Sequence, residues 1–150
     1  MAHKRKLVML AGALMLAACG NSEPEGPATP SVPAPTLAEL PTPYDAADLG
    51  NGQMIFAKCK ACHSLVATEG NLVGPNLHGV FDRHPATQKK FKYSPALAAY
   101  TEAQWTPELI DHWLSNPKDF LPGNGMFFNG IGKPEDRRDV IAYLLINSRK

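Results

Sequence analysis

The chain has 150 residues, enough for one domain, and its fifteen Lys and Arg nearly balance fourteen Asp and Glu for a formal net charge of +1. Three of those cations, Lys4, Arg5 and Lys6, sit at the very start, so residues 20–150 carry twelve cations against fourteen anions, a balance of −2. That charge excludes nucleic acid as a partner, which needs a strongly basic surface.

The basic start is followed by an apolar run from Leu7 to Ala18 and then Cys19, the pattern of a secretory signal peptide. Twelve apolar residues fall short of the roughly 20 needed to span a membrane. Leu16-Ala17-Ala18-Cys19-Gly20 resembles the lipobox of bacterial lipoproteins. That resemblance implies cleavage before Cys19 and acylation of its thiol; ordinary cleavage, leaving a free thiol, is the other reading. Two or more acyl chains anchor a protein stably. Residues 1–18 are therefore read as a lipoprotein signal peptide. Cys19 is read as the lipid anchor, on the periplasmic side of a bacterial membrane.

Residues 20–43 hold seven of the fourteen prolines and few large apolar residues. This composition predicts a flexible, partly polyproline II spacer without a core. At about 3 Å per residue it reaches on the order of 70 Å when extended. Residues 19–43 are thus the lipidated cysteine and its linker, and residues 44–150 the folded domain.

A first helix is expected from the N-cap Asp48 to the cysteines that follow. Gly52 and Phe56 share one of its faces, and the glycine permits a close helix crossing. The helix leads into Cys59-Lys60-Ala61-Cys62-His63. Two cysteines two residues apart, followed at once by histidine, read as a covalent c-type haem attachment site. Thiols one helical turn apart reach two vinyl groups on one side of a porphyrin, and the next residue can place an imidazole under the ring. On these five residues alone, a redox dithiol or half a zinc site remains an alternative.

A long loop follows, with turns marked by Gly74-Pro75-Asn76-Leu77-His78-Gly79. The other ring nitrogen of an iron-bound histidine needs a hydrogen bond, and the Pro75 carbonyl suits that task. Ser94-Pro95 and Thr106-Pro107 each read as an N-cap followed by proline at the first helical position. The second of these helices carries Leu109, Ile110, Trp113 and Leu114 at helical spacing, and Asn116-Pro117 is expected to end it. Residues 121–133 form another glycine-rich loop, which a metal-bound Met126 would hold. A last helix is expected from Pro134, with Val140, Tyr143, Leu144 and Asn147 on one face. No strand alternation appears, so the fold class is all-α.

Residues 48–150 resemble class I cytochromes c of the mitochondrial and bacterial cytochrome c2 kind. The matching pieces are Gly52-x-x-x-Phe56-x-x-Cys59-x-x-Cys62-His63, Gly74-Pro75-Asn76-Leu77-His78-Gly79, Phe91-x-Tyr93, Trp105, Asn116-Pro117-Lys118, Pro122-Gly123-x-x-Met126 and Ile141-Ala142-Tyr143-Leu144, in family order. The resemblance implies a fold in which first and last helices pack crosswise around one covalent haem c. It implies His63 and Met126 as axial ligands and Cys59 and Cys62 as thioether attachments, with the Pro75 carbonyl as partner of His63. Tyr93 and Trp105 resemble residues that bind a buried haem propionate, with Arg83 near enough to neutralise it. Phe128 resembles the aromatic residue that shields the haem edge. Trp113 stands where the family commonly has a tyrosine near the ligand methionine. His112 is the alternative sixth ligand; Met54 is a poor rival, and His78 matches a motif histidine that is not a ligand.

Two strong protein ligands leave no open iron site, so the expectation is a monomeric one-electron carrier, not an enzyme. The resemblance suggests a cytochrome bc1-type donor and a terminal oxidase or photosynthetic reaction centre as acceptor. A haem peroxidase or ligand-binding sensor is the alternative, though residues 121–130 offer no acid–base group for peroxide chemistry. The lysine ring used by the family for docking is thinned here: Lys118 is followed by Asp119, and Gly125 precedes Met126 where lysine is common. Lys58, Lys60, Lys89 and Lys90 remain.

Overall fold

The computed structural model describes residues 33–100 and 104–149; the expected signal peptide, Cys19 and residues 20–32 lie outside the described residues. Among the described residues five helices carry the fold: α1 (Leu49–Cys59), α2 (Pro95–Ala99), α3 (Pro107–Ser115), α4 (Pro117–Phe120) and α5 (Pro134–Asn147), joined by loops and short 3-10 turns. Among the described residues no strand forms, and no helix is long and apolar enough to cross a membrane.

Local chemistry sets each start. Asp48, Ser94, Thr106 and Asn116 are N-caps whose side chains accept from Asn51, Leu97, Leu109 and Asp119 N–H groups. Proline opens α2, α3, α4 and α5, where a missing N–H costs nothing. Asn116-Pro117 does end α3, but it also begins α4, because Asn116 caps the next four residues with its own side chain.

The crossing of α1 over α5 is the centre of the fold. A Cβ built on Gly52 would lie 2.2 Å from the Asp139 carbonyl oxygen, so the two backbones are effectively in contact. Phe56 stacks on Tyr143 beside this crossing, with ring centroids 5.4 Å apart. Val140, Ile141 and Ala142 of α5 are fully buried beneath it.

A buried carboxylate locks the crossing. Asp139, 3% exposed, accepts from the Asp48 N–H at 3.0 Å and from Asn51 Nδ2 at 2.9 Å, and pairs with Arg138 at 2.7 Å. It thus supplies negative charge to the N-terminus of α1 from another helix. Burial pushes its pKa up, but the bonds from Asn51, Arg138 and the Asp48 N–H outweigh that and hold it below 3.8. A carboxylate depressed in the folded state contributes stability above its unfolded value, and loses it as pH falls through the folded value. Thermal unfolding followed from pH 7 to pH 3 is therefore expected to show an acid-side loss that Asp139→Asn removes, at the cost of lower stability near pH 7. An identical acid slope in both proteins would assign that loss to other groups.

The packed part reaches back beyond Tyr44, where the sequence places the start of the domain. Thr36 and Glu39 bracket a 3-10 turn, with the Glu39 carboxylate accepting from the Thr36 N–H at 2.7 Å. Leu40, Tyr44 and Ala47 are buried in the core. Burial, with Glu108 and Asp111 nearby, pushes the Tyr44 phenol up to about 12, so it stays neutral. The turn at Tyr44–Ala46 lies against α5.

Candidate functional site

One apolar cavity of about 380 Å³ opens among α1, α3, α5 and the two long loops. The last turn of α1 brings Cys59 to its wall, and the chain then turns tightly, with Cys62 and His63 N–H groups both donating to the Cys59 carbonyl at 2.9 Å. Cys59, Cys62 and His63 thus reach one cavity by a single helical turn. The two cysteines form no disulfide with each other, and burial pushes the Cys59 thiol above its usual value. Among the described residues no group of three His, Cys, Asp or Glu is placed to hold a metal ion.

His63 is buried, and its Nδ1 lies 2.7 Å from the Pro75 carbonyl oxygen. A carbonyl only accepts, so Nδ1 carries the proton and Nε2 keeps its lone pair. Burial, opposed by the Pro75 bond, pulls the imidazole below its usual value and favours the neutral ring. Gly74 lets the ring lie flat on the chain: a Cβ there would sit 2.4 Å from His63 Cε1. The loop is fixed beneath it by Gly74 N–H to Cys62 O and Leu77 N–H to Ser64 O, both 2.8 Å. Asn76, 2% exposed, ties the loop to Val66 and Glu69 carbonyls at 2.9 Å.

Met126 enters the same cavity from the loop between α4 and α5. Asn124 Oδ1 accepts its N–H at 2.6 Å, and beyond it Ile131 N–H donates to Leu114 O at 2.8 Å. Arg137 of α5 clasps the same loop end, donating to Ile131 O at 2.9 Å and to Asp111 at 2.8 Å. Phe127 and Phe128 both border the cavity beside Met126, Phe128 half-buried and Phe127 exposed at its mouth.

Arg83, Tyr93 and Trp105 line the remaining edge. Arg83 donates to the Asn76 carbonyl at 2.8 Å and to the Gln88 side chain, and its own carbonyl accepts from Trp105 N–H at 2.9 Å. Tyr93 Oη accepts from Gln88 N–H at 3.1 Å. Burial lowers the Arg83 pKa without neutralising it and raises that of Tyr93. The arrangement suits a flat apolar ring carrying carboxylates: two thiols, an imidazole nitrogen and a thioether inside, and a half-buried guanidinium at the rim.

All ten residues named from the sequence for this site line the one cavity; Cys19 lies outside the described residues. The rival ligands do not reach it. His112 is exposed and packs edge-on against Phe120 at 4.8 Å, Met54 is 68% exposed on α1, and His78 is absent from the lining. What the sequence missed is Asn124 under Met126; Trp113 was placed near Met126 by the resemblance with a hydrogen bond left open, and its Nε1–H lies 3.3 Å from Met126 Sδ. The Gly-Asn-Gly run before Met126 was a readable sign of a turn needing a side-chain acceptor.

The family model for cytochrome c matches residues 49–147. Among curated proteins, cytochrome c of Chlamydomonas reinhardtii is 45% identical over 112 residues, covering 73% of this chain and 94% of that protein. Cytochrome c of Stellaria longipes is 38% identical over 102 residues, covering 67% of this chain and 94% of the relative. Among solved structures, cytochrome cH from Methylobacterium extorquens superposes with a TM-score of 0.60 at 37% identity, covering 65% of this chain and 97% of that one.

Proposed function

This chain belongs to the cytochrome c family, and from that premise we propose that it is a membrane-tethered one-electron carrier whose iron is held between His63 and Met126. As a cytochrome c it carries electrons, is not an enzyme, and holds one covalent haem c at Cys59, Cys62 and His63. The observation that carries the proposal is the convergence of those three residues and the Met126 thioether on a single apolar cavity.

When bound, the haem supplies one-electron exchange at a single iron. The chain's residues set the conditions for it. Cys59 and Cys62 fix the ring covalently. His63, with Nδ1 tied to Pro75, offers only Nε2 to the metal. Met126 offers a soft sulfur, which favours the ferrous state over a second nitrogen ligand. Leu97, Ile110, Leu114, Val140 and Leu144 keep water from the interior, which again disfavours the more highly charged ferric centre. Arg83, Tyr93 and Trp105 serve the propionates.

The finer reading concerns where the carrier works. The pattern of Lys4–Cys19 supports a lipid anchor on the periplasmic side of a bacterial membrane, with donors of the cytochrome bc1 type and an oxidase or reaction centre as acceptor. Lys58 and Lys92 flank the cavity, a sparse cationic rim for docking. Tethering offsets weak attraction, since confinement gives an effective concentration on the order of millimolar when the linker spans the sites. With the full chain matured in cells that attach c-type haem, Cys19→Ser is expected to leave the membrane fraction. Its turnover with membranes should then depend on its own concentration. Membrane association and turnover unchanged at low concentration would sink the tether.

A further inference from the structure

Main-chain bonds decide where Phe127 stands. Asn124 Oδ1 accepts the Met126 N–H at 2.6 Å, and the Phe128 N–H donates to the Met126 carbonyl at 3.0 Å. The second bond closes a three-residue turn with Phe127 at its tip. Met126 and Phe128 are half-buried on either side, while Phe127 is 102% exposed. Val73 stands on a second bend, where Leu72 N–H donates to Gly74 O at 3.0 Å, and it is 77% exposed. Val73 borders the cavity next to the glycine that carries the His63 ring, and Phe127 borders it next to Met126. The fold gains little from either side chain, and apolar groups gathered at a functional opening mark an interaction surface. Charge is sparse around them: residues 70–81 and 120–132 hold no Asp, Glu, Lys or Arg. No acid lines the cavity, and the exposed cations that do are Lys58 and Lys92.

We propose that the partner of this carrier docks on Phe127 and Val73 by apolar contact, with Phe127 as the anchor and charge in the lesser part. This rests on the reading of the cavity as the haem site of an electron carrier. The occupant is a redox protein whose own electron port is ringed by uncharged apolar side chains, with carboxylates placed to meet Lys58 and Lys92. One electron leaves the ferrous centre at the cavity mouth and enters the partner's oxidised metal centre; no other group is transferred. The partner must therefore cover the mouth, and the mouth presents these two side chains. A bilayer seated there would shut off the electron's exit, so a lipid surface fits worse. An aromatic side chain held in place by its own backbone loses little freedom on docking, and such anchors carry most of a binding energy. Apolar contact persists in salt, whereas attraction between exposed charges is screened.

The test uses the haem-loaded full chain with Cys19→Ser, reduced beforehand, and membranes of the source organism as oxidant. The rate is followed against the concentration of the chain, at ionic strengths from about 0.02 M to about 0.5 M. Phe127→Ser is expected to raise the half-saturating concentration about tenfold, the size of a hot-spot loss, with the rate at saturation nearly unchanged. Phe127→Leu should recover most of it. Val73→Ser, on the other bend, should cost about threefold and carries the test if Phe127→Ser disturbs the weak far-red ferric band. The ferric chain, which has no electron to give, should inhibit with the same tenfold difference, which puts the effect in docking and not in transfer. The whole salt range, or Lys58→Gln with Lys92→Gln, should move half-saturation less than about threefold. A salt effect larger than that of Phe127→Ser, or half-saturation unmoved in both serine variants, would overturn the proposal. So would binding to protein-free phosphatidylglycerol vesicles, or a dimer in sedimentation equilibrium, that Phe127→Ser abolishes; the occupant would then be lipid or a second copy. Membranes that neither oxidise nor reduce the chain at any salt would instead remove the carrier's proposed partners, and the proposal with them.

Discussion

Met126→Ala will remove the far-red ferric band, make the ferrous protein bind carbon monoxide, and lower the reduction potential by on the order of 0.1 V or more, a part of the roughly 0.8 V over which axial ligands tune haems. The fold should survive to report this. The bonds that shape the loop are main-chain ones that alanine keeps: Met126 N–H to Asn124 Oδ1, Phe128 N–H to Met126 O, and Ile131 N–H to Leu114 O. Met126 is half-buried, so the truncation costs about 1–2 kcal/mol, below the range for a fully buried methionine. Circular dichroism and thermal unfolding will separate that loss from the change at the metal. Retention of the band and of carbon monoxide exclusion would dismiss Met126 as ligand. His112 would not be a ready substitute, since it lies outside the cavity.

The second large effect is on stability. Gly52→Ala adds a single methyl group where the Asp139 carbonyl stands 2.2 Å away and Tyr143 Cβ 3.1 Å away. Neither neighbour can swing aside, because one is helix backbone and the other the root of a side chain. The helices must part, which loosens Phe56 against Tyr143 and lengthens the bonds to Asp139. Overpacking of this kind costs about 1–3 kcal/mol or more, against a gain of up to about 1 kcal/mol in helix propensity. A net loss of about 2 kcal/mol corresponds to a Tm lower by roughly 10 °C. Gly50→Ala on the same helix is the control, since its nearest neighbour is the Asp48 side-chain oxygen at 3.2 Å, which can move. Equal Tm values for the two variants would mean that the crossing tolerates a wider spacing.

The crossing itself was legible, because Gly52, Phe56 and Tyr143 are the residue types that a close helix contact selects and they sit at helical intervals. The proline-led helix starts and the Pro75 carbonyl were legible as local patterns, and the attachment motif became so once the ordered set of matching pieces narrowed its alternatives. Asp139 was not. In sequence it is one acid among the charges that open α5, and only the fold turns its carboxylate inward to Asp48 and Asn51. The segment from Thr36 to Pro43 was hidden by its prolines. Composition predicts a spacer, yet Leu40 is buried in the core. Its Thr36-x-x-Glu39 pattern, a capping box, was the available warning. Trp113 illustrates a third case, since the resemblance puts it near Met126 but an indole in place of a phenol leaves its hydrogen bond open, and its N–H gains a partner only when the loop bearing Met126 folds over it.

The burial of Leu40 and Tyr44 also decides where mechanical load enters the molecule. A pull along the chain from its N-terminal side meets these two anchors before it reaches α1. The force is handed to the body of the fold through the turn at Tyr44–Ala46 and α5. The helix that ends in Cys59 lies downstream of that strain relief, as a soldered joint lies behind a cable clamp. A displacement of the chain ahead of Leu40 and the geometry around Cys59 are thereby decoupled within ten residues of sequence, from Leu40 to Leu49.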